Sequence, residues 1–105
     1  MGGRGDDSAG HPATPPPPQF EWDPNKSASN KMKHGVDFDE ATAIWNDLDC
    51  IVIAVVRVND ELRDLTVGLL EGRLFTAVTT MRGEVIRIIS VRRSRQPEEE
   101  QYARQ

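Results

Sequence analysis

Arginines that could bind a phosphate are concentrated near the carboxyl end of the chain. Between Arg82 and Arg95 there are five arginines (82, 87, 92, 93 and 95) and one acidic residue, Glu84. This segment carries +4, whereas the whole chain carries −4, so the remaining residues are acidic. A planar guanidinium binds oxyanions through two parallel hydrogen bonds. The segment therefore predicts a local anion-binding patch, and the acidic remainder argues against general electrostatic capture of nucleic acid.

Arg87 is the most informative of these arginines because it lies inside the apolar run from Val85 to Ile89, which predicts a strand. Burying an unpaired guanidinium is costly, so Arg87 must either pair with an acid, such as Glu40, or face a cleft. Strand alternation places Arg93 on the same face as Arg87, provided that the strand stays regular that far. A structural ion pair, a phosphate-binding cleft and a partner-binding patch all remain open interpretations.

The second candidate group is Lys33-His34-Gly35, at the end of a predicted helix. The helix dipole favours a protonated imidazole there, so His34 is either a helix cap or an acid–base group. Glu40 fits the acid of a capping box better than a general base. The second histidine is His11, near the amino terminus, so we expect no histidine metal site. The sequence has no glycine-rich phosphate loop, Ser-His-Asp order or dinucleotide motif, and we predict no cofactor.

The elements that must position these residues begin after a Gly- and Pro-rich segment, residues 1–18, which predicts a disordered tail. Residues 19–105 form a single predicted domain. Phe20-Glu21-Trp22 indicates a short strand, and Asp23-Pro24 begins a helix that ends at Gly35. Asp37 begins a second helix, whose apolar residues recur at helical spacing and are expected to be buried: Phe38, Ala41, Ile44, Trp45 and Leu48.

Four strands follow, and we predict that they form an antiparallel meander. The first, Ile51 to Val58, is a continuous apolar run and is expected to be buried on both faces. Turns at residues 59–60, 71–73 and 82–83 separate strands at 63–70, 74–81 and 85–91. Pro97 begins a last helix. The predicted fold class is α+β, with two N-terminal helices on a four-stranded, mainly antiparallel sheet and a short C-terminal helix.

The cellular compartment is indicated by features that the sequence lacks. Cys50 is the single cysteine, so no internal disulfide is possible and a reducing compartment is favoured. No apolar run is long enough to cross a membrane, and the amino terminus has no signal-peptide pattern. We therefore expect a cytoplasmic protein that does not bind membranes.

Two blocks of the sequence, and a few residues between them, match the pattern of a known protein family. The opening block consists of Phe20-Glu21-Trp22-Asp23-Pro24, Asn30, Lys33-His34-Gly35-Val36 and Phe38-Asp39-Glu40-Ala41. Gly68 and the Arg82-Gly83 turn also fit, and the closing block is Ile86 to Arg93 followed by Glu99 and Tyr102. These residues resemble BrnT-type ribonuclease toxins of type II toxin–antitoxin systems, and the resemblance covers about residues 20–104. It is less typical from Asp47 to Glu61, which is mostly apolar where the family often has polar residues.

The resemblance implies a RelE-like fold and an endoribonuclease that needs no metal and inhibits translation. It also implies neutralisation by a cognate BrnA-like antitoxin, a ribbon-helix-helix protein through which the toxin reaches DNA. The implied catalytic residues are Arg63 and Arg87 as phosphate stabilisers and Lys33 or His34 as acid–base, with Glu40 a less favoured alternative. The implied RNA-binding residues are Arg92, Arg93 and Tyr102. The alternative function is a non-catalytic, antitoxin-bound co-repressor; a small-anion-binding domain has no loop motif to support it.

Overall fold

The protein, described by a computed structural model for residues 16–105, has an α+β fold. Its strands are β1 (Gln19–Glu21), β2 (Ile51–Val58), β3 (Glu61–Leu70), β4 (Arg73–Arg82) and β5 (Val85–Arg93). Its helices are α1 (Pro24–His34), α2 (Phe38–Ala41) and α3 (Gln96–Ala103), and a 3-10 helix, Thr42–Asn46, follows α2 directly. Most of the predicted tail, residues 1–15, lies outside the described residues.

The strands form one mixed sheet in the order β1-β5-β4-β3-β2. The predicted meander of β2 to β5 is confirmed, since each consecutive pair is antiparallel. The predicted count of four strands is wrong, because β1 joins the sheet as a fifth strand, parallel to β5, and places Glu21 opposite Arg87. The sequence indicates a strand at Phe20, but a three-residue strand has too little pattern to specify the edge that it joins.

The helix boundaries in the first third of the chain follow their capping residues. The Asp23 carboxylate accepts a hydrogen bond from the Asn25 backbone N–H at 2.8 Å, which starts α1. Gly35 ends α1 with φ of +79°, a left-handed conformation that glycine adopts without a steric penalty. Asp37 and Glu40 form the predicted capping box of α2. These caps fix His34 at the carboxyl end of α1, beside the start of α2.

The second helix is shorter than its apolar spacing predicts, and its second half is a 3-10 helix. Phe38, Ala41 and Ile44 are fully buried, as expected, but Leu48 is 99% exposed. The chain leaves the helical conformation at Asp47, whose backbone is extended and whose carboxylate accepts the Leu69 backbone N–H at 2.9 Å. This tertiary hydrogen bond ends the helix before Leu48, so the prediction that Leu48 is buried is wrong.

The prediction that β2 is buried on both faces is also wrong. β2 is the last strand of the sheet, and Val52, Val55 and Val56 are 51%, 57% and 40% exposed. Its continuous apolar pattern matches a central strand, but the helices α1 and α2 pack against β5 and the 3-10 helix packs against β3. The apolar run therefore marks an edge strand that the N-terminal helices leave uncovered.

The two sheet faces are covered differently. The N-terminal helices cover one face, here called the helical face, where the main core forms from Val36, Phe38, Ala41, Ile44, Leu70, Phe75, Ala77, Ile88 and Val91. On the other face, here called the open face, α3 packs against β2 and β3, and its Glu98 accepts a hydrogen bond from Thr76 of β4. Strand residues consequently belong to two environments, and their alternation decides which functional groups can meet.

Gly68 allows the 3-10 helix to approach β3 closely. A Cβ at this position would lie 2.8 Å from the Ile44 Cγ2 atom and 3.0 Å from the Ile44 carbonyl oxygen. Because the second contact is with backbone, we expect Gly68→Ala to reduce the free energy of unfolding by about 1–3 kcal/mol. Urea unfolding followed by circular dichroism would measure this change. An unchanged free energy of unfolding would show that the helix and sheet are less tightly packed than this.

Candidate functional site

A β-bulge in β5 separates the two arginines that the sequence places on one face. Val78 pairs with Ser90 and Thr79 pairs with Ile88, so Ile89 is an extra residue without a partner on β4. An extra residue reverses the alternation of side chains beyond it. Arg87 therefore lies opposite Thr80, whereas Arg93 lies opposite Phe75 on the helical face. The prediction that Arg87 and Arg93 share a face is wrong, because the strand is not regular between them.

The open face aligns Arg63 and Arg87, the two predicted phosphate stabilisers. Thr80 pairs with Arg87, and continuing the β3–β4 register by one residue beyond Asp64 and Thr79 places Arg63 opposite Thr80. We call Arg63, Thr80 and Arg87 the open-face row. Both arginines already have acidic partners. Arg87 donates to Glu21 at 2.9 Å, and Arg63 contacts Glu61 at 3.3 Å. These side chains are 32% and 25% exposed, so neither pair is sealed in the core.

Arg92 and Glu98 anchor α3 to the open face. The Glu98 carboxylate accepts hydrogen bonds from both terminal nitrogens of Arg92 at 2.7 Å. It also accepts hydrogen bonds from the Thr76 hydroxyl at 2.9 Å and from the Arg95 backbone N–H at 2.8 Å. The hydrogen bonds from Arg92 lower the pKa of Glu98 to about 2, against the opposing effect of burial. The same pair raises the pKa of Arg92. The guanidinium predicted to bind RNA is therefore occupied by a structural carboxylate.

Tyr102 is held in a similar way at the other end of α3. Its hydroxyl donates to the Asp47 carboxylate at 2.7 Å, and this hydrogen bond raises the pKa of Tyr102 to about 12. Asp47 also accepts the backbone N–H groups of Leu69 and Asp49, which together with Tyr102 lower its pKa despite desolvation. Asp47 thus ties α3 to the segment before β2. The roles of Arg92 and Tyr102 in RNA binding stay predictions.

A cleft of about 440 Å³ lies at one end of the helical face and collects three of the predicted site residues. The end of α1, the start of α2, the β3–β4 turn and the end of β5 all contribute to its wall. Its lining residues are His34, Gly35, Val36, Glu40, Leu70, Glu71, Arg73, Phe75 and Arg93. His34, Glu40 and Arg93 are thereby brought together, away from Arg63 and Arg87. Lys33 is exposed and does not line the cleft.

The cleft contains two guanidinium groups, those of Arg73 and Arg93. Arg93 lies over the Phe75 ring, with its Cζ atom 5.7 Å from the ring centroid, a cation–π contact that orients the side chain. Arg73 is exposed. Within residues 16–105, neither arginine has a carboxylate oxygen within 4.0 Å. Their donors are available to an anion. Arg73 was not among the sequence candidates, because its place after the Glu71-Gly72 turn fits any hairpin.

Glu40 stabilises the cleft wall instead of exchanging protons. Lys31 Nζ lies 2.8 and 3.0 Å from its two carboxylate oxygens, and the Asp37 backbone N–H donates to it at 3.0 Å. Lys31 is the main reason that the pKa of Glu40 is lowered, and Glu40 in turn raises the pKa of Lys31. The carboxylate therefore stays ionised near neutral pH. The other imidazole and carboxyl groups that line the cleft are those of His34 and Glu71, and His34 is the candidate for proton transfer.

Two further features bear on the site. Among residues 16–105, the structure contains no group of three or more His, Cys, Asp or Glu side chains arranged to hold a metal ion. None of the helices in this range combines the length and apolar character required to span a bilayer.

Comparison with known proteins identifies the family. The family model described as the ribonuclease toxin BrnT of a type II toxin–antitoxin system matches residues 22–98. The matched range includes every residue that lines the cleft and both arginines of the open-face row. A search among curated proteins found no match to the chain. The extent of the family match nevertheless decides the assignment, and the chain belongs to the BrnT family of ribonuclease toxins of type II toxin–antitoxin systems.

Proposed function

We propose that the protein cleaves RNA in the cleft formed by α1, α2, the β3–β4 turn and the end of β5. The observation that carries this proposal is the convergence of His34, Arg73 and Arg93 on one cavity, with both guanidiniums unpaired among residues 16–105. An imidazole can accept the proton of a ribose hydroxyl, and two cations can stabilise the charge that develops on the phosphate during cleavage. The reaction then needs no metal ion, because guanidiniums supply the charge.

The proposed reaction uses the RNA's own 2′-hydroxyl as nucleophile. The neutral imidazole of His34 accepts the hydroxyl proton as the 2′-oxygen attacks the adjacent phosphorus. Arg73 and Arg93 donate hydrogen bonds to the nonbridging oxygens, whose negative charge increases in the transition state. The bond to the 5′-oxygen then breaks, and this oxygen takes a proton from solvent, which reaches the open cleft. The products are a 2′,3′-cyclic phosphate and a 5′-hydroxyl.

The surface around the cleft is suited to the rest of the RNA strand. Lys26, Lys31 and Lys33 are exposed on α1, which ends at His34. Such cations attract the sugar–phosphate backbone without reading its sequence. The acidic remainder of the chain opposes binding elsewhere. This local arrangement supports binding of a single strand at one edge of the protein.

The open-face row offers a second position for the phosphate. It is favoured by the alignment of Arg63 and Arg87 on either side of Thr80. It has less support than the cleft, because Glu61 and Glu21 already partner both guanidiniums, and His34, the one histidine among residues 16–105, lines the cleft instead. The two positions are on opposite sides of the sheet, so one phosphate cannot use both. The proposed catalytic roles of Arg63 and Arg87 can therefore be separated experimentally from those of His34 and Arg93.

The family assignment implies an antitoxin partner. We propose that this antitoxin is a BrnA-like ribbon-helix-helix protein that neutralises the toxin in the cytoplasm. RNA cleavage then accounts for inhibition of translation when the antitoxin is absent. DNA is reached only through the antitoxin, which agrees with the net charge of −4 on the toxin.

An RNA cleavage assay with the purified protein in the presence of EDTA tests the proposed reaction. We expect cleavage of a single-stranded RNA, with 2′,3′-cyclic phosphate and 5′-hydroxyl ends identified by mass spectrometry. Replacing the scissile ribose by 2′-deoxyribose should abolish cleavage, because the nucleophile is removed. Products with 5′-phosphate ends, or cleavage only after addition of metal, would contradict the mechanism. A folded protein that binds its antitoxin and cleaves no RNA would favour the non-catalytic alternative.

A further inference from the structure

A second cavity continues the proposed catalytic cleft and lacks the two arginines of that cleft. It has a volume of about 450 Å³ and shares Glu40, Leu70 and Glu71 with the cleft. Its other lining residues are Ala43, Asn46, Asp47 and Leu69. We call this second cavity the acidic pocket. Among residues 16–105, no lysine or arginine lines it, so it lacks the guanidiniums that the cleft offers to a phosphate, and a neutral group that offers hydrogen-bond donors to the carboxylates is favoured.

Two of the carboxylates in the acidic pocket are already engaged. Asp47 accepts hydrogen bonds from Tyr102, Leu69 and Asp49, and Glu40 accepts from Lys31 and Asp37. Glu71 differs from both. Within the described part of the chain its carboxylate forms no hydrogen bond or salt bridge, and it lies in the β3–β4 turn at the junction of the two cavities. Glu71 is therefore the carboxylate available to a ligand.

The remaining wall of the acidic pocket is mainly apolar. Ala43, Leu69 and Leu70 provide a surface against which a flat ring can pack, and Asn46 adds an exposed amide. A nucleobase next to a cleaved phosphate is the neutral, flat, donor-bearing group that RNA supplies. Proteins read such unstacked bases by packing against their faces and by hydrogen bonding to their Watson–Crick edges.

We propose that the acidic pocket binds a guanine base next to the scissile phosphate, with the Glu71 carboxylate accepting from guanine N1–H and the N2 amino group. Guanine presents two adjacent donors on its Watson–Crick edge, and a carboxylate has two oxygens to match them in parallel. Adenine and cytosine present one amino group beside an acceptor that a carboxylate repels. This inference rests on the proposed function, because the scissile phosphate in the cleft places the base in the pocket.

The test compares RNA oligonucleotides that contain one ribonucleotide and otherwise deoxyribose, so that only one phosphate can be cleaved. The base on each side of that phosphate is varied among guanine, hypoxanthine and adenine. Hypoxanthine keeps N1–H and lacks the N2 amino group. We expect kcat/KM to fall by about tenfold or more from guanine to hypoxanthine on one side. Glu71→Gln should remove this preference, so that the guanine and hypoxanthine substrates are cleaved with the same kcat/KM.

Glu84→Gln is the matched control, because Glu84 is exposed in the β4–β5 turn, outside both cavities, and should keep the preference. Equal rates for guanine and hypoxanthine on both sides would overturn the inference and leave the proposed function intact.

A binding measurement that needs no cleavage separates the two failures. All-deoxyribose oligonucleotides with guanine or hypoxanthine are titrated into ¹⁵N-labelled protein, and amide shifts of Glu71 and Gly72 are followed. Tighter binding of guanine, lost in Glu71→Gln, supports the pocket even if no RNA is cleaved, in which case only the proposed function fails. Equal affinity for the two bases overturns the inference.

Discussion

Replacing Arg93 by alanine should reduce kcat/KM for RNA cleavage by about 10²–10³-fold, the loss typical of removing one donor that stabilises transition-state charge. Arg93 has no carboxylate partner among residues 16–105 and is oriented by the Phe75 ring at 5.7 Å. Its charge is therefore available to the phosphate, and its removal leaves no buried acid unpaired. Cleavage of a fluorogenic RNA by purified variants measures the effect, and thermal unfolding verifies that the variant is folded.

Arg95→Ala is the control for the loss of a positive charge. Arg95 is exposed, lies two residues beyond Arg93 and does not line the cleft. We expect its replacement to change cleavage by no more than a few-fold, through weaker general attraction of RNA. A loss in Arg95→Ala as large as that in Arg93→Ala would mean that net charge, not the position of the guanidinium in the cleft, determines the rate.

Replacing Glu98 by glutamine should produce the largest loss of stability. Glu98 is 8% exposed and its pKa is lowered to about 2 from 4.5, chiefly by Arg92. A lowered pKa in the folded state stabilises the fold above the unfolded-state pKa. The contribution is complete above about pH 4.5 and is lost as the pH falls toward 2. We expect Glu98→Gln to reduce the free energy of unfolding by about 3 kcal/mol at pH 7.

The pH dependence distinguishes this charge effect from a packing defect. The difference in the free energy of unfolding between wild type and Glu98→Gln should shrink as the pH is lowered from 4.5 to 2, measured by urea unfolding. Glu100→Gln on the same helix is the control, since its exposed contact with Arg104 at 4.0 Å contributes about 0.5 kcal/mol or less. A difference that stays constant between pH 7 and pH 2 would show that Glu98 acts through its shape and not through its charge.

The sequence predicts most of the elements because their signals are local. Asp23, Gly35 and the Asp37–Glu40 pair mark helix ends through contacts with neighbouring residues, and all three are confirmed. The meander is predictable because short turns join its strands. Leu48 is mispredicted because a distant backbone group, the Leu69 N–H, ends the preceding helix.

The composition of the site is less predictable than the fold. His34, Glu40 and Arg93 are recognisable as candidates from their types and positions, and the structure brings them to one cleft. Arg87 is separated from them by the bulge at Ile89, which no turn residue or glycine marks in the sequence. Arg73 reaches the cleft only because the β3–β4 hairpin folds beside α1. Such groupings depend on tertiary structure, which strand periodicity does not encode.

The most direct measurement compares two double variants in the same RNA cleavage assay. Arg73→Ala/Arg93→Ala removes both guanidiniums of the cleft, and Arg63→Ala/Arg87→Ala removes both from the opposite sheet face. If the phosphate binds in the cleft, the first variant loses nearly all cleavage, and the second, verified as folded, retains a rate within a few-fold of wild type. The reverse result, with cleavage lost only in Arg63→Ala/Arg87→Ala, would place the phosphate on the open face and contradict the cleft as the catalytic site.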